Sequence, residues 1–340
     1  MKRKISIIFI MMLIISMMTT ICFADDGGIY LGQVDCSKNE GRYISCLYDG
    51  TDGWYVEKVQ GGTTKPTTDQ WAYYEDGTLT LHNFFYDDVY GGSTIFTKGG
   101  ETLDVLTINL EGENTFGTTI NKVLEGIGFG LFKEDHVGKV VITGEGNLTI
   151  NSQDCAIHTY IPVELSNEFT GTLTLNGGVG FLCTEVIMDN GNVVINADSE
   201  GIETESKLII NNGKLEINIK EGPNLGMASL GKFEINGGRV TVKAPNGYAI
   251  YHDEENVGTL PKIKRGYLEY ITATDLEGTQ QIELTKDNAK DICYFYVNYI
   301  DDENPIVVEP TPTSNLTLYI AIGCVVLILI IVIAIRKKKY

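Results

Sequence analysis

His158, Glu203 and Tyr251 hold the same place in three copies of a short recurring phrase, one residue past a pair made of a small side chain and a large apolar one. The pairs are Ala156-Ile157, Gly180-Phe181, Gly201-Ile202, Gly226-Met227 and Ala249-Ile250. In an extended strand the side chains alternate. If the apolar member points inward, His158, Leu182, Glu203, Ala228 and Tyr251 turn outward along one face. Imidazole, carboxylate and phenol in such a file can exchange hydrogen bonds with sugar hydroxyls, and tyrosine rings can pack on sugar C–H surfaces. Tyr160 and Tyr248 stand at the margin. The chemistry expected of these five residues is glycan binding without catalysis, and the competing reading is an ordinary mixed, solvated surface. Asp198, Glu200, Glu203 and Glu205 form an acidic group that could hold calcium, although their spacing is unlike a defined calcium loop. No other cofactor is expected.

Stronger chemistry finds less support. Hydrolysis of a glycoside asks for carboxylates held at a defined separation on neighbouring strands, and the outward file contains one. His82, His136, His158 and His252 all lack a glycine on each side. Among the cysteines outside the apolar ends, Cys36 and Cys46 are close enough to form a disulfide in an oxidising compartment. The odd total of Cys36, Cys46, Cys155, Cys183 and Cys293 defines no framework. Cys155 and Cys183 read as core residues, and no cysteine spacing suggests zinc or a thiol nucleophile.

The elements that would carry the outward file repeat as well. Asn147-Leu148-Thr149-Ile150-Asn151, Thr172-Leu173-Thr174-Leu175-Asn176, Asn192-Val193-Val194-Ile195-Asn196 and Lys214-Leu215-Glu216-Ile217-Asn218 are alternating strands that end in an aliphatic residue and Asn. Corners fall at Asn190-Gly191, Asn212-Gly213 and Asn236-Gly237, roughly 22 to 24 residues apart, a length suited to one coil of a β solenoid. Both residue types tolerate positive φ, and asparagines at one register can stack coil upon coil. The same Asn-Gly corners are also the strongest short hairpin signal, so a series of hairpins is the alternative. Hairpins leave the once-per-coil return of the small-plus-apolar pair without a reason.

The chain has 340 residues, with 26 Lys and Arg against 45 Asp and Glu, for a net charge of −19. Lys2, Arg3, Lys4, Arg336, Lys337, Lys338 and Lys339 all lie at the ends, so the middle is more acidic still. Such a surface does not seek nucleic acid. It suits cationic partners, neutral glycans, or anionic glycans bridged by a divalent metal, and it also serves plain solubility. Residues 1–24 read as a secretory signal, with a basic start, an apolar run and Cys22-Phe23-Ala24 at the cut. A lipid-anchored alternative would acylate Cys22, but Ile21 is bulky for that signal. Leu316 to Ile335 is an uncharged run long enough for roughly 30 Å of helix. The basic residues that follow place the C-terminus in the cytoplasm and the ectodomain outside.

Between about residues 25 and 100 the composition shifts. Trp54, Trp71, Tyr73, Tyr74, Phe84, Phe85, Tyr86 and Tyr90 crowd together, as expected of a unit covering the open end of a solenoid. A sugar-binding aromatic platform is the sharper alternative. Trp71-Ala72-Tyr73-Tyr74-Glu75-Asp76-Gly77-Thr78-Leu79-Thr80-Leu81 and the later Val105-Leu106-Thr107-Ile108-Asn109-Leu110-Glu111-Gly112-Glu113-Asn114-Thr115 carry a resemblance. Over roughly residues 71–252 the chain resembles Gram-positive bacterial surface proteins with a pectate-lyase-like parallel β-helix, often described as carbohydrate-binding. The resemblance implies a right-handed parallel β-helix and polysaccharide binding, and it supplies no catalytic residues. Lyases of that fold use calcium-holding carboxylates with an Arg or Lys base. The arginines outside the two ends are Arg42, Arg239 and Arg265, and Arg239 reads as a solvated strand residue.

The resulting expectation is an all-β, right-handed parallel β-helix with end caps, a signal peptide and one C-terminal transmembrane helix. Its segments are 1–24 signal, 25–100 aromatic-rich N-terminal cap and first strands, 101–252 coils, and 253–300 C-terminal cap. A proline-containing linker at 301–315, the span at 316–335 and a basic tail at 336–340 follow. At ~3 Å per residue the linker reaches at most roughly 45 Å, keeping the ectodomain near the membrane. The function expected is a membrane-anchored envelope protein binding a polysaccharide or cell-wall glycan. A structural or adhesive protein that binds another protein is the runner-up, and a polysaccharide lyase or hydrolase comes third.

Overall fold

Alternation of buried and half-exposed residues runs through nearly every strand, as in Leu106–Glu111 and Arg239–Lys243. In the computed structural model this pattern folds into a nearly all-β chain built on one curled, largely parallel sheet. The structure describes residues 28–48, 54–59, 64–66, 69–87, 92–98, 103–129, 137–220, 222–252 and 258–300. All of them fall within the unit Met1–Ile300. Among the described residues no helix is long and apolar enough to cross a membrane. The expected signal at 1–24, linker at 301–315, span at 316–335 and tail at 336–340 lie outside the described residues.

The parallel strands form three ladders, visited in the same order on each circuit of the chain. The first begins with Thr78–His82 and Leu106–Glu111, and it stacks Leu79, Ile108, Ile142, Leu165, Met188, Ile210, Ile235 and Ile263 in register. The second stacks Tyr86, Phe116, Ile150, Leu175, Ile195, Ile217 and Val242. The third stacks Ile95, Ile127, Ile157, Phe181, Ile202, Met227 and Ile250. Except for the half-buried Ile263, every member of these rows is buried. Removing each such side chain from water stabilises the fold by roughly 1.5–3 kcal/mol. Ile157, Ile202 and Ile250 therefore line up as the small-plus-apolar repeat predicts.

The long strands Thr172–Met188 and Asn192–Ile210 each run through all three ladders. Their pairing shifts register between Gly177 and Val179 and again between Cys183 and Glu185, where the strand bends from one ladder to the next. The hairpin alternative does not hold at the Asn-Gly corners. Ile209 and Ile210 pair with Ile187 and Met188, whereas Lys214 onward pairs with Asn192 onward, so strands flanking a corner join different ladders. Gly191 and Gly213 take positive φ as expected, but at the third corner the left-handed residue is Gly238 rather than Gly237. A β-carbon on Gly213 would sit 2.3 Å from Gly191 O, and one on Gly238 would sit 2.5 Å from Gly213 O. The corners stack too closely for any side chain.

Asparagines knit the second ladder along its edge. Asn176 Nδ2 donates to Asn151 Oδ1 at 3.0 Å, Asn196 Nδ2 to Asn176 Oδ1 at 2.8 Å, and Asn218 Nδ2 to Asn196 Oδ1 at 3.3 Å. Asn151 Nδ2 closes the stack on Gly117 O at 3.0 Å.

Antiparallel strands flank the parallel ones. Trp71–Glu75 pairs with Thr78–His82 and with Tyr43–Tyr48. At the other end Tyr294–Asn298 lies antiparallel between Arg239–Lys243 and Glu269–Ala273. Parallel pairing already begins at Thr78, because Leu79 and Leu81 supply the first inward pair.

Candidate functional site

The outward file of the third ladder is the place where the polar residues gather. Gly128, His158, Leu182, Glu203 and Ala228 pair in sequence across neighbouring strands. Tyr251 follows, its N–H donating to Met227 O at 2.9 Å. With strands about 4.8 Å apart, His158 and Glu203 stand about 10 Å from each other along the file. On the other side of the small-plus-apolar pair runs a second column, Cys155, Val179, Glu200, Leu225 and Tyr248. The pair itself interrupts simple alternation, since both Ala156 and Ile157 are buried. A β-carbon on Gly201 would meet Ile217 Cγ2 at 2.5 Å and Gly226 O at 2.4 Å, so the small member lets the third ladder press against the second.

Three groupings emerge along these two columns. At one end Glu125 accepts from Ser93 Oγ through Oε2 at 2.6 Å, and its Oε1 lies 3.0 Å from His158 Nδ1. His158 is also tilted against Tyr160, with ring centroids 5.5 Å apart. Burial, together with the Glu125 charge, pushes the Asp154 carboxyl above its ordinary range, and His158 works against that rise. In the middle, burial raises Glu200 to about 8, helped by the charge of Glu203 and a hydrogen bond between the two side chains. At neutral pH the Glu200 carboxyl is therefore largely protonated. At the far end Tyr248 and Tyr251 pack edge to face with centroids 5.9 Å apart. Of the five residues predicted from sequence, His158 with Tyr160 and Tyr248 with Tyr251 thus meet as pairs, and Glu203 stands between the pairs.

Glu125 and Ser93 were missed by sequence reasoning, although a signal for them existed. Glu125-Gly126-Ile127-Gly128 is an earlier copy of the same phrase, with Glu125 at the position of Glu200. A polar file of this kind can hold hydroxyl-rich ligands. Ser93 donates to the Glu125 carboxylate and not to the His158 imidazole, so no serine–histidine pair forms there.

The acidic group considered for calcium is dispersed among other partners. Asp198 is ion-paired with Lys220, Glu200 bonds Glu203, and Glu205 is exposed. Among the described residues no three His, Cys, Asp or Glu side chains are placed to hold a metal. Arg239 Nε donates to Asn298 Oδ1 at 3.3 Å.

The cysteines are mostly core residues. Cys36, Cys155 and Cys183 are buried free thiols, and burial pushes all three up, Cys183 to about 12. Such thiols stay protonated and poorly nucleophilic. The side chain of Cys46, the expected partner of Cys36, lies outside the described residues.

In the N-terminal region Trp71 is buried, with His82 stacked on it at 4.8 Å and Lys65 Nζ 4.6 Å over its ring. Tyr74, Phe84 and Tyr86 are buried as well. These rings are packing residues and offer no open sugar platform; the side chains of Trp54 and Tyr90 lie outside the described residues. No protein-family model, curated protein or solved structure matches the chain.

Proposed function

We propose that this chain is a membrane-anchored envelope protein whose ectodomain is a right-handed parallel β-helix that binds a polysaccharide without cleaving it. The three ladders would be the faces of the helix. A crossover joining parallel strands is right-handed in nearly all known cases, which supports that hand. The observation that carries the binding reading is the single outward file of His158, Glu203 and Tyr251, with a tyrosine pair at one end and a histidine–tyrosine pair at the other. Aromatic edges and faces set at strand spacing suit an extended chain of sugars, and the carboxylates and imidazole between them suit its hydroxyls. The acidic composition favours neutral glycans, with calcium as the bridge if the glycan is anionic.

The test is a glycan array probed with the full chain, with and without calcium, beside the Tyr251→Ala and Glu203→Gln variants. Retention of a glycan that falls at least tenfold in either variant supports the file. Retention that both variants leave unchanged removes it. Release of reducing ends or unsaturated products would replace binding with catalysis.

A further inference from the structure

The last strand of the third ladder, Tyr248–Ile250, does not run out into solvent on its Tyr248 side. The turn before it and two segments of the C-terminal region border an open cavity of about 440 Å³, lined among others by Asn246, Tyr248, Thr274, Asp275, Lys290 and Cys293. The volume lies within the roughly 300–1,000 Å³ of small-molecule sites. Its frame is fixed by backbone: Ala244 N donates to Cys293 O at 2.9 Å, Ala249 N to Ile292 O at 2.8 Å, and Cys293 N to Ala273 O at 3.1 Å. Ala244, Ala249, Ala273, Ala289 and Ile292 behind these bonds are completely buried. Asn246 adopts φ 55°, turning the chain sharply at the cavity mouth.

Tyr248 belongs to both features, since it lines the cavity and packs against Tyr251 of the outward file. We propose that this cavity receives the terminal residue of the glycan laid along the file, an uncharged or amine-bearing sugar, so that the protein recognises a chain end. The inference rests on the glycan-binding reading above. The segment at Ile292 is bonded to Ala249 on the far side of this strand, so a chain that passes from Tyr251 to Tyr248 would meet the C-terminal region next. The lining sets the chemistry of that last residue. Asp275 accepts from Thr279 N and Thr279 Oγ1, each at 2.9 Å, and from Gln280 N. These bonds hold its carboxyl below the ordinary range, so the charge is permanent at neutral pH. Asp291 adds a second carboxylate against the single ammonium of Lys290. A uronate end would meet net negative charge, whereas hydroxyls, acetamides and ammonium groups find acceptors. Burial, followed by the charges of Asp275 and Glu277, raises the Cys293 thiol, leaving it a neutral wall.

Cys293 also gives the readout. The full chain in detergent is treated with N-ethylmaleimide at mildly alkaline pH in the presence of cellotetraose, chitotetraose or tetragalacturonate, and labelling of Cys293 is read by peptide mass mapping. One of the uncharged oligomers is expected to slow labelling at least fivefold, and tetragalacturonate to leave it unchanged. The protecting oligomer, tethered to beads through one end or the other, is expected to differ at least tenfold in retention of the protein, because only one free end fits. Leu276→Trp, which fills the cavity, should abolish the protection; if that variant does not fold, labelling of the unaltered chain decides alone. Retention that depends on Tyr251 with Cys293 labelled at the same rate throughout overturns the chain-end site and leaves the file standing. No retention of any oligomer overturns both.

Discussion

Gly201 and Ile217 belong to different ladders, yet a β-carbon on Gly201 would stand 2.5 Å from Ile217 Cγ2. The nearest obstacle is backbone, Gly226 O at 2.4 Å, which cannot swing aside. Strand propensity alone would make Gly201→Ala stabilising by about 0.5–1 kcal/mol. Overpacking of a closed core costs about 1–3 kcal/mol, and it wins here. Gly201→Ala is expected to lower the urea midpoint. A Gly201→Ala variant as stable as the parent would mean that the two ladders do not press together.

The asparagine stack predicts a graded result. Asn176 donates to Asn151 and accepts from Asn196, so Asn176→Ala strands a partner on each side. Asn218 stands at the end of the stack, and its amide is divided between Asn196 Oδ1 and the exposed Glu216 carboxylate, so its removal strands one neighbour in the stack only. With about 1–3 kcal/mol for each buried group left unsatisfied and about 0.5–1.5 kcal/mol for an ordinary bond, Asn176→Ala should cost clearly more than Asn218→Ala in equilibrium denaturation. Equal losses would show that the stack acts as independent surface contacts.

Much of this architecture is legible because a side-chain row in a stacked sheet writes itself into the sequence once per circuit. Ile157, Ile202 and Ile250 announce the inner row, and the outward file with Glu203 follows from alternation. The row is harder to see where the circuits lengthen: Ile127 pairs with Ile157 across a longer stretch of sequence than the one from Ile157 to Phe181, which hides the Glu125 copy. The Gly237-Gly238 corner was ambiguous because either glycine could take positive φ. The antiparallel return of Tyr294–Asn298 onto Arg239–Lys243 left no periodic trace, since it occurs once. The raised Glu200 carboxyl depends first on its burial, which alternation alone would not reveal.

The raised Glu200 carboxyl makes stability depend on pH. Glu200 is raised in the folded chain from an ordinary 4.5 to about 8. A carboxyl that is easier to protonate when folded contributes stability that is complete below pH 4.5 and is lost as the pH rises toward 8. Other carboxylates titrate in the acid range, so the measurement is a difference. Glu200→Gln keeps a neutral hydrogen-bonding group in place, and its melting temperature relative to the parent should rise steadily between pH 4.5 and 8 and level off above. A constant offset across that range would show that the Glu200 carboxyl is not raised in the folded chain.

Thr204 Oγ1 is buried with no hydrogen-bond partner, although it stands in register between Cys183 and Ser229 in the third ladder. Its neighbours along that column manage better: Thr159 Oγ1 donates to Ile161 O at 2.7 Å and Ser229 Oγ to Lys232 O at 3.2 Å. A buried hydroxyl without a partner costs about 1–3 kcal/mol relative to water. Valine has the same branched shape and no polar atom, so Thr204→Val should hold or raise the melting temperature, while Thr159→Val should lower it by removing a made bond and orphaning a carbonyl. The contrast in sign between two chemically identical substitutions is the measurement. A loss at Thr204 as large as that at Thr159 would mean that the Thr204 hydroxyl is satisfied in solution.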